Sequence, residues 1–273
     1  MVGIIDIWVL RLLAGLVSSG LIAAAAYRHR SLSASGAWSA VIMGTGFVTL
    51  GEPVWFALLI VFFVTSSALS KYKRGHRVKA EAEAGYEKSG RRDAGQVWAN
   101  GGAGLLLCAA DAAYPHAGWL YAYIGVMAAV NADTWATELG ALSRSVPRLV
   151  TTGRRVRPGT SGAVTPLGSL AALSGAALIG AAAALLAPSG GAALIGLGAV
   201  AGLAGCFADS LLGATGQAMF RCPVCGSETE RAVHCGTAAE RVRGFAWMNN
   251  DRVNLLSSLI AGLLGWALGS LLY

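Results

Sequence analysis

The sequence predicts an all-α fold, a polytopic bundle of about eight transmembrane helices with a small cytoplasmic, zinc-knuckle-like insertion. Three observations lead there. The 273 residues are 55% hydrophobic and only 13% charged, too apolar for an ordinary soluble domain. Apolar stretches near the roughly 20-residue length that crosses a bilayer recur along the chain. Basic residues collect in alternate connecting segments, as in a chain that threads a membrane repeatedly.

The expected spans are 4–26, 36–50, 53–70, 97–112, 119–142, 161–187, 192–216 and 253–272. The second is the shortest, and a re-entrant or interfacial segment is the alternative there. In the first, Ala23 to Ala26 resemble a signal-peptide cleavage site. Its start is not basic, however, and its apolar run exceeds a typical h-region, so it reads as a retained span.

All but one of the 21 Lys and Arg residues fall in 28–30, 71–92, 144–157 and 221–252, Arg11 being the exception. The loops around Glu52, Pro115 and Pro188 carry none. The positive-inside rule puts the basic regions in the cytoplasm and both termini outside, which agrees with an even number of spans. A net charge of +7 on a soluble protein would suggest nucleic acid. Here the expected counterparts are anionic membrane lipids, and no nucleic acid.

No linker divides the chain, so 1–273 reads as one integral membrane domain, with 219–248 as a Cys-rich cytoplasmic insertion. The charged stretch 71–96 reads as a solvated helix or loop. Glycines in 175–180 and 198–205 suit close helix packing.

Ionisable groups within spans are costly and therefore usually functional or tightly paired. Here they concentrate near one membrane boundary. Asn131, Asp133, Thr134, Thr137 and Glu138 lie late in the fifth span, and Asp209 and Ser210 late in the seventh. Asn249, Asn250, Asp251 and Asn254 open the eighth, and Asp93, Gln96 and Asn100 the fourth. Asp111 falls at the outer end and reads as an interface residue. On a regular helix Asp133 lies about 140° around from Glu138, so one cavity takes both only by wrapping the helix. The bland reading is a structural network of buried acids and amides. Acids without an equal number of buried bases point instead to a divalent cation such as Mg²⁺, which takes carboxylate oxygens, waters and phosphates.

Arg154, Arg155 and Arg157 precede the turn Gly159-Thr160-Ser161 at the expected start of the sixth span. A helix N-terminus with adjacent arginines suits nucleotide phosphates. A basic juxtamembrane loop with a Thr/Ser cap is the plainer alternative. Farther on, Cys222-Pro-Val-Cys225-Gly is followed by His234-Cys235-Gly, a set suited to a structural zinc ion. Cytoplasmic placement disfavours disulfides. The fourth ligand stays open, because adjacent His234 and Cys235 both reach one ion only through a distorted turn. Water or another residue would otherwise complete the site.

Five segments carry a family resemblance. In order they are Gln96-Val-Trp-Ala-Asn100-Gly-Gly, Ala132-Asp-Thr-Trp-Ala-Thr-Glu-Leu-Gly140, Gly159-Thr-Ser-Gly-Ala-Val-Thr165, Asp209-Ser-Leu-Leu-Gly-Ala214 and Asn249-Asn-Asp-Arg-Val-Asn254. Together they resemble the integral membrane family called domain of unknown function ninety-two, which includes transmembrane protein 19 and the plant phytyl-phosphate kinase. The Cys-rich insertion looks like that of bacterial members, which implies a bacterial plasma membrane and an accessory role for zinc.

The resemblance implies a lipid-phosphate kinase that uses a nucleoside triphosphate, CTP foremost, to phosphorylate an isoprenyl or phytyl-type monophosphate. On that reading Asp133 and Asp209 hold Mg²⁺, with Glu138 as a third candidate. Asn100, Asn250 and Asn254 orient phosphate oxygens or metal-bound waters. Arg154, Arg155, Arg157, Gly159, Thr160 and Ser161 hold nucleotide phosphates. The lipid tail is expected between the Gly- and Ala-rich spans. A CTP-dependent lipid cytidylyltransferase is the alternative with the same site. A lipid-phosphate or ion transporter would need polar groups at mid-membrane.

Overall fold

A computed structural model describes residues 2–72, 77–88, 90–187 and 191–272. The chain begins with α1 (Val2–Arg28), α2 (Ala34–Leu50), α3 (Pro53–Lys71) and the short α4 (Arg77–Glu83). Then come α5 (Ala94–Ala113), α6 (Ala117–Gly140), α7 (Pro166–Leu186), α8 (Ala193–Thr215) and α9 (Asn250–Leu272). Five helices, over Asp6–Arg28, Pro53–Lys71, Pro166–Leu186, Ala193–Thr215 and Asn250–Leu272, are long and apolar enough to cross a membrane. At 17 residues α2 is a shorter apolar helix. Of the other two, α5 and α6, the latter carries Asn131, Asp133 and Glu138, polar groups that lower its hydropathy.

Helix boundaries follow local chemistry. Asp93 and Gln96 form a reciprocal capping box at the start of α5. Thr165 caps α7 and Pro166 occupies its first turn. The helix therefore begins at Pro166 rather than at 161, and the Gly159–Ser161 turn lies ahead of it. Arg11, the charge outside the basic segments, donates from Nε to the Val48 carbonyl at 3.2 Å and from Nη2 to that of Gly51. A cation thus meets the negative end of α2. Asp111 accepts from the His116 N–H at 3.3 Å and holds the α5–α6 turn.

The central helix is α6, which packs against α3, α5, α7, α8 and α9. Its residues from Tyr121 through Ala132 are all buried. Small residues set the closest crossings. A Cβ on Gly125 would lie 2.3 Å from the Ala261 carbonyl oxygen of α9, and one on Gly180 of α7 would lie 2.5 Å from that of Leu194 in α8.

The connections are not all helical, which modifies the all-α expectation. β1 (Arg148–Leu149) pairs antiparallel with β2 (Ala163–Val164). The insertion folds as short strands: β3 (Met219–Arg221), β4 (Glu228–Thr229), β5 (Val233–His234), β6 (Thr237–Ala238) and β7 (Glu240–Arg243). They pair in the order β4-β3-β7, with β5-β6 a separate hairpin. The stretch 71–96 is also less exposed than its charge implies, for Lys79 on α4 is only 2% exposed.

Candidate active site

One large cavity of about 460 Å³ opens among α5, α6, α8, the start of α9 and the segments 79–92, 143–147 and 158–165. It gathers Asn100, Asp133, Glu138, Asp209, Asn250, Asn254, Gly159, Thr160 and Ser161. Arg154, Arg155 and Arg157 are exposed and lie outside its lining. The basic groups that line it are Lys79, Lys88, Arg92 and Arg144.

The cavity wraps α6, because Asp133, Thr134, Thr137 and Glu138 all line it. The roles of the two acids differ. The Glu138 carboxylate forms an ion pair with Lys79 and accepts from Ser70 Oγ at 2.5 Å. Lys79 also donates to the carbonyls of Leu69, Ser70 and Tyr72 at 3.1, 3.3 and 3.1 Å. Glu138, the third Mg²⁺ candidate, therefore has an internal cation already. Asp133 has no side-chain hydrogen bond or ion pair among the described residues, and Asp209 accepts only from Ser257 Oγ at 3.0 Å. Asp133 and Asp209 lie close enough for one charge to act on the other. Nearby, the Asn254 Oδ1 atom is buried with no hydrogen-bond partner. A buried oxygen without a donor, beside carboxylates short of protein donors on a cavity wall, leaves room for a cation, water or ligand donor. This all-oxygen donor set fits Mg²⁺. Asn131, by contrast, is a satisfied core amide, accepting from Thr65 and Ser66 and donating to the Gly175 carbonyl at 2.8 Å.

The 159–162 turn needs its glycines. Gly159 and Gly162 adopt φ of +81° and +80°, the left-handed region. A Cβ on Gly159 would lie 2.5 Å from the Ala82 carbonyl oxygen, and one on Gly162 would lie 2.5 Å from the Ala214 nitrogen. Arg243 staples this turn to the end of α8, donating to the carbonyls of Gly213, Ala214 and Ser161 at 2.7, 2.8 and 3.2 Å. Across the cavity, Lys88 bridges Asp93 at 3.0 Å and Asp251 at 2.5 Å, tying α5 to α9. Burial opposes the Lys88 charge, but these two acids outweigh it and hold its pKa above the ordinary value.

Two lining groups came with no signal in the sequence. Burial, followed by the charges of Glu230, Glu138 and Asp133, pushes the Tyr86 phenol well above its usual pKa, so it remains a hydroxyl donor. Glu230 reaches the cavity from the insertion. Burial first, and then the Glu87 charge, raise its pKa to about 7, against the Glu87 N–H, Gln217 and Arg243, which lower it. The insertion also clamps the segment below Tyr86. The Glu230 N–H and Thr229 Oγ1 donate to the Gly85 carbonyl, both at 3.0 Å, and Arg231 Nε donates to that of Tyr86 at 2.8 Å. The Glu87 N–H returns a bond to Glu230 Oε2 at 3.1 Å.

The ligand atoms of Cys222, Cys225, His234 and Cys235 all lie within 4.8 Å of one another. A tetrahedral zinc site with roughly 2.3 Å Zn–S bonds spaces its sulfurs at about 3.8 Å, so the set has the right size. The adjacency of His234 and Cys235 is resolved by a distorted turn. Cys235 and Gly236 have φ of +52° and +74°, the two left-handed residues of a tight hairpin between β5 and β6. His234 Nδ1 comes within 3.5 Å of Cys225 Sγ and 3.3 Å of Cys235 Sγ.

Apolar membrane-length helices around a polar, charge-lined cavity define an integral membrane protein. The chain belongs to the integral membrane protein family DUF92, whose sequence profile matches residues 17–262. It is 33% identical to Protein PGR of Arabidopsis thaliana, over 93% of this chain and 94% of that protein. It is also 38% identical to the uncharacterized membrane protein MJ0933 of Methanocaldococcus jannaschii, over 54% of this chain and 50% of that protein. No solved structure matches the chain at a significant level.

Proposed function

We propose that this protein is a membrane lipid-phosphate kinase. It transfers the γ-phosphoryl group of a nucleoside triphosphate, CTP foremost, to an isoprenyl or phytyl-type monophosphate. The observation that carries this reading is the pair Asp133 and Asp209. They enter one cavity from α6 and α8 with no basic side chain at ion-pair distance among the described residues, while Lys79, Lys88, Arg92 and Arg144 stand around them. Carboxylates without an internal cation, beside bases without a full set of acids, suit a metal–polyphosphate complex.

Asp133 and Asp209 would hold Mg²⁺, which when bound supplies charge neutralisation for the phosphates. The acceptor is already an anion, so no general base is required. The work of the site is to bring two polyanions together and align them. An acceptor phosphate oxygen forms a bond to the γ-phosphorus as the bond from that phosphorus to the β–γ bridging oxygen breaks, releasing the nucleoside diphosphate. Asn100, Asn250, Asn254 and the Tyr86 hydroxyl supply hydrogen bonds around the cavity. The Gly159–Ser161 turn and the bases at the rim receive the nucleotide. The site would face the cytoplasm, where the positive-inside rule puts the Lys- and Arg-rich connections and where nucleotide is available. Zinc in the cysteine cluster would be structural.

The test is incubation of purified protein with γ-labelled and α-labelled CTP, Mg²⁺ and a panel of isoprenyl phosphates. Label from the γ-position in a lipid diphosphate is the expected result. Release of pyrophosphate with α-label in the lipid would mean cytidylyl transfer, and no lipid product from any nucleotide would overturn both.

A further inference from the structure

A second recess lies beside the polar cavity. It lies among α1, α2, α3 and α5, and is walled by apolar groups such as Ile22, Ala23, Met43, Phe56, Leu59 and Phe63. This mostly apolar groove and the polar cavity share Arg92, Gln96 and Asn100.

Arg92 is held firmly at that junction. Its N–H donates to the Ser31 carbonyl and its carbonyl accepts from the Ser33 N–H, both at 3.0 Å. A Cβ on Gly36 would lie 2.2 Å from the Arg92 carbonyl oxygen, so α2 starts as close to this residue as a glycine allows. The guanidinium lies over the rings of Phe62 and Phe63, 5.7 and 5.9 Å from their centroids, and Nη1 donates to Ser67 Oγ at 2.9 Å. No carboxylate lies within ion-pair distance of it among the described residues. A guanidinium has five N–H donors in a planar fork that matches phosphate, and this one has most of them to spare.

We propose that Arg92 grips the phosphate of the lipid acceptor while the hydrocarbon chain lies in the groove among α1, α2, α3 and α5. This rests on the lipid-phosphate reading of the site. On this proposal the hydrocarbon chain lies here instead of between the Gly- and Ala-rich helices, the place their composition suggests. There the backbones of α7 and α8 touch, with a Cβ on Gly198 only 2.8 Å from the Gly180 Cα. The tail enters from the bilayer and the head meets the nucleotide side at Asn100.

The experiment is photocrosslinking of the full chain in detergent, without nucleotide, using an isoprenyl monophosphate that carries a benzophenone on its tail. Label is expected on α1, α2, α3 or α5 residues of the groove. Unlabelled isoprenyl monophosphate should compete, and the matching alcohol should not. R92K should weaken that competition roughly tenfold or more, the equivalent of a lost charge-assisted hydrogen bond. A40F, which fills the groove, should lower labelling, and L59W serves as a second filling variant should A40F fail to fold. Label on α7 or α8, or equal competition by phosphate and alcohol as at an ordinary lipid-facing surface, overturns the proposal. Because labelling needs no turnover, groove labelling without phosphoryl transfer upholds this subsite and removes the kinase reading. Transfer with the label elsewhere does the reverse.

Discussion

The ammonium of Lys79, a residue only 2% exposed, is paired with the carboxylate of Glu138 on α6. Two charges that stand 59 positions apart in the chain thus share one buried site, and the pair seats α4 against the central helix.

Breaking that pair should destabilise the protein strongly. K79M leaves Glu138 facing the cavity without its cation, and removal of one partner of a buried pair costs about 3–5 kcal/mol. The double variant K79M/E138Q should recover much of the loss, because it leaves no orphan charge. Thermal unfolding in detergent measures both. Additive losses in the double variant would mean that the two residues act independently.

D133N and D209N should each lower Mg²⁺-dependent phosphoryl transfer by roughly a hundredfold or more, the scale of losing a group aimed at reacting charge. Both should stay folded, since an amide keeps the size and is easier to bury than a carboxylate. Turnover and unfolding temperature together decide the matter. Wild-type turnover in both variants would assign these acids to a structural network.

Glu230 makes a pH-dependent contribution. Its pKa rises to about 7 in the folded protein, from an ordinary value near 4.5, so the folded state binds the proton more tightly. The stabilisation is complete below the ordinary value and is lost as pH rises through about 7. Unfolding temperatures measured between pH 5 and 8 should therefore show a decline that is shallower in E230Q. An identical slope in wild type and E230Q would show that Glu230 does not titrate in this window.

Zinc content should be about one ion per chain, and C222S with C225S should abolish it. The accessory role implied by the family resemblance leaves out a connection, because the insertion holds the 85–87 backbone and delivers Glu230 to the cavity. Loss of the metal should thus raise amide exchange at Glu87, whose N–H donates to Glu230, as well as in the insertion. Increased exchange confined to 219–243 would restore the accessory role.

Much of the architecture was legible in the sequence, for local reasons. Each of the eight expected segments contains or overlaps one long helix, since a run of apolar residues must satisfy its own backbone whatever it packs against. The cysteine cluster was legible because Cys222 and Cys225, and His234 and Cys235, are near neighbours whose spacing already brings the ligands together. Asp133, Asp209, Asn100 and Asn254 stood out because polar groups in apolar helices are rare and lie at one depth.

What only the tertiary structure decided is which of those groups are already engaged. Glu138 and Asp133 look alike in the sequence, five residues apart, yet one is neutralised by Lys79 and the other is not. Arg154, Arg155 and Arg157 had the stronger motif, but they are exposed and do not line the cavity. The unremarked Arg92 sits at its junction with the apolar groove. Glu230 reaches the same space from an insertion nearly a hundred positions from Asp133. Helix formation depends on neighbours in the chain, whereas charge pairing and cavity lining depend on which faces of distant helices meet. That meeting is set by close glycine contacts such as Gly125 on Ala261, information that no single segment contains.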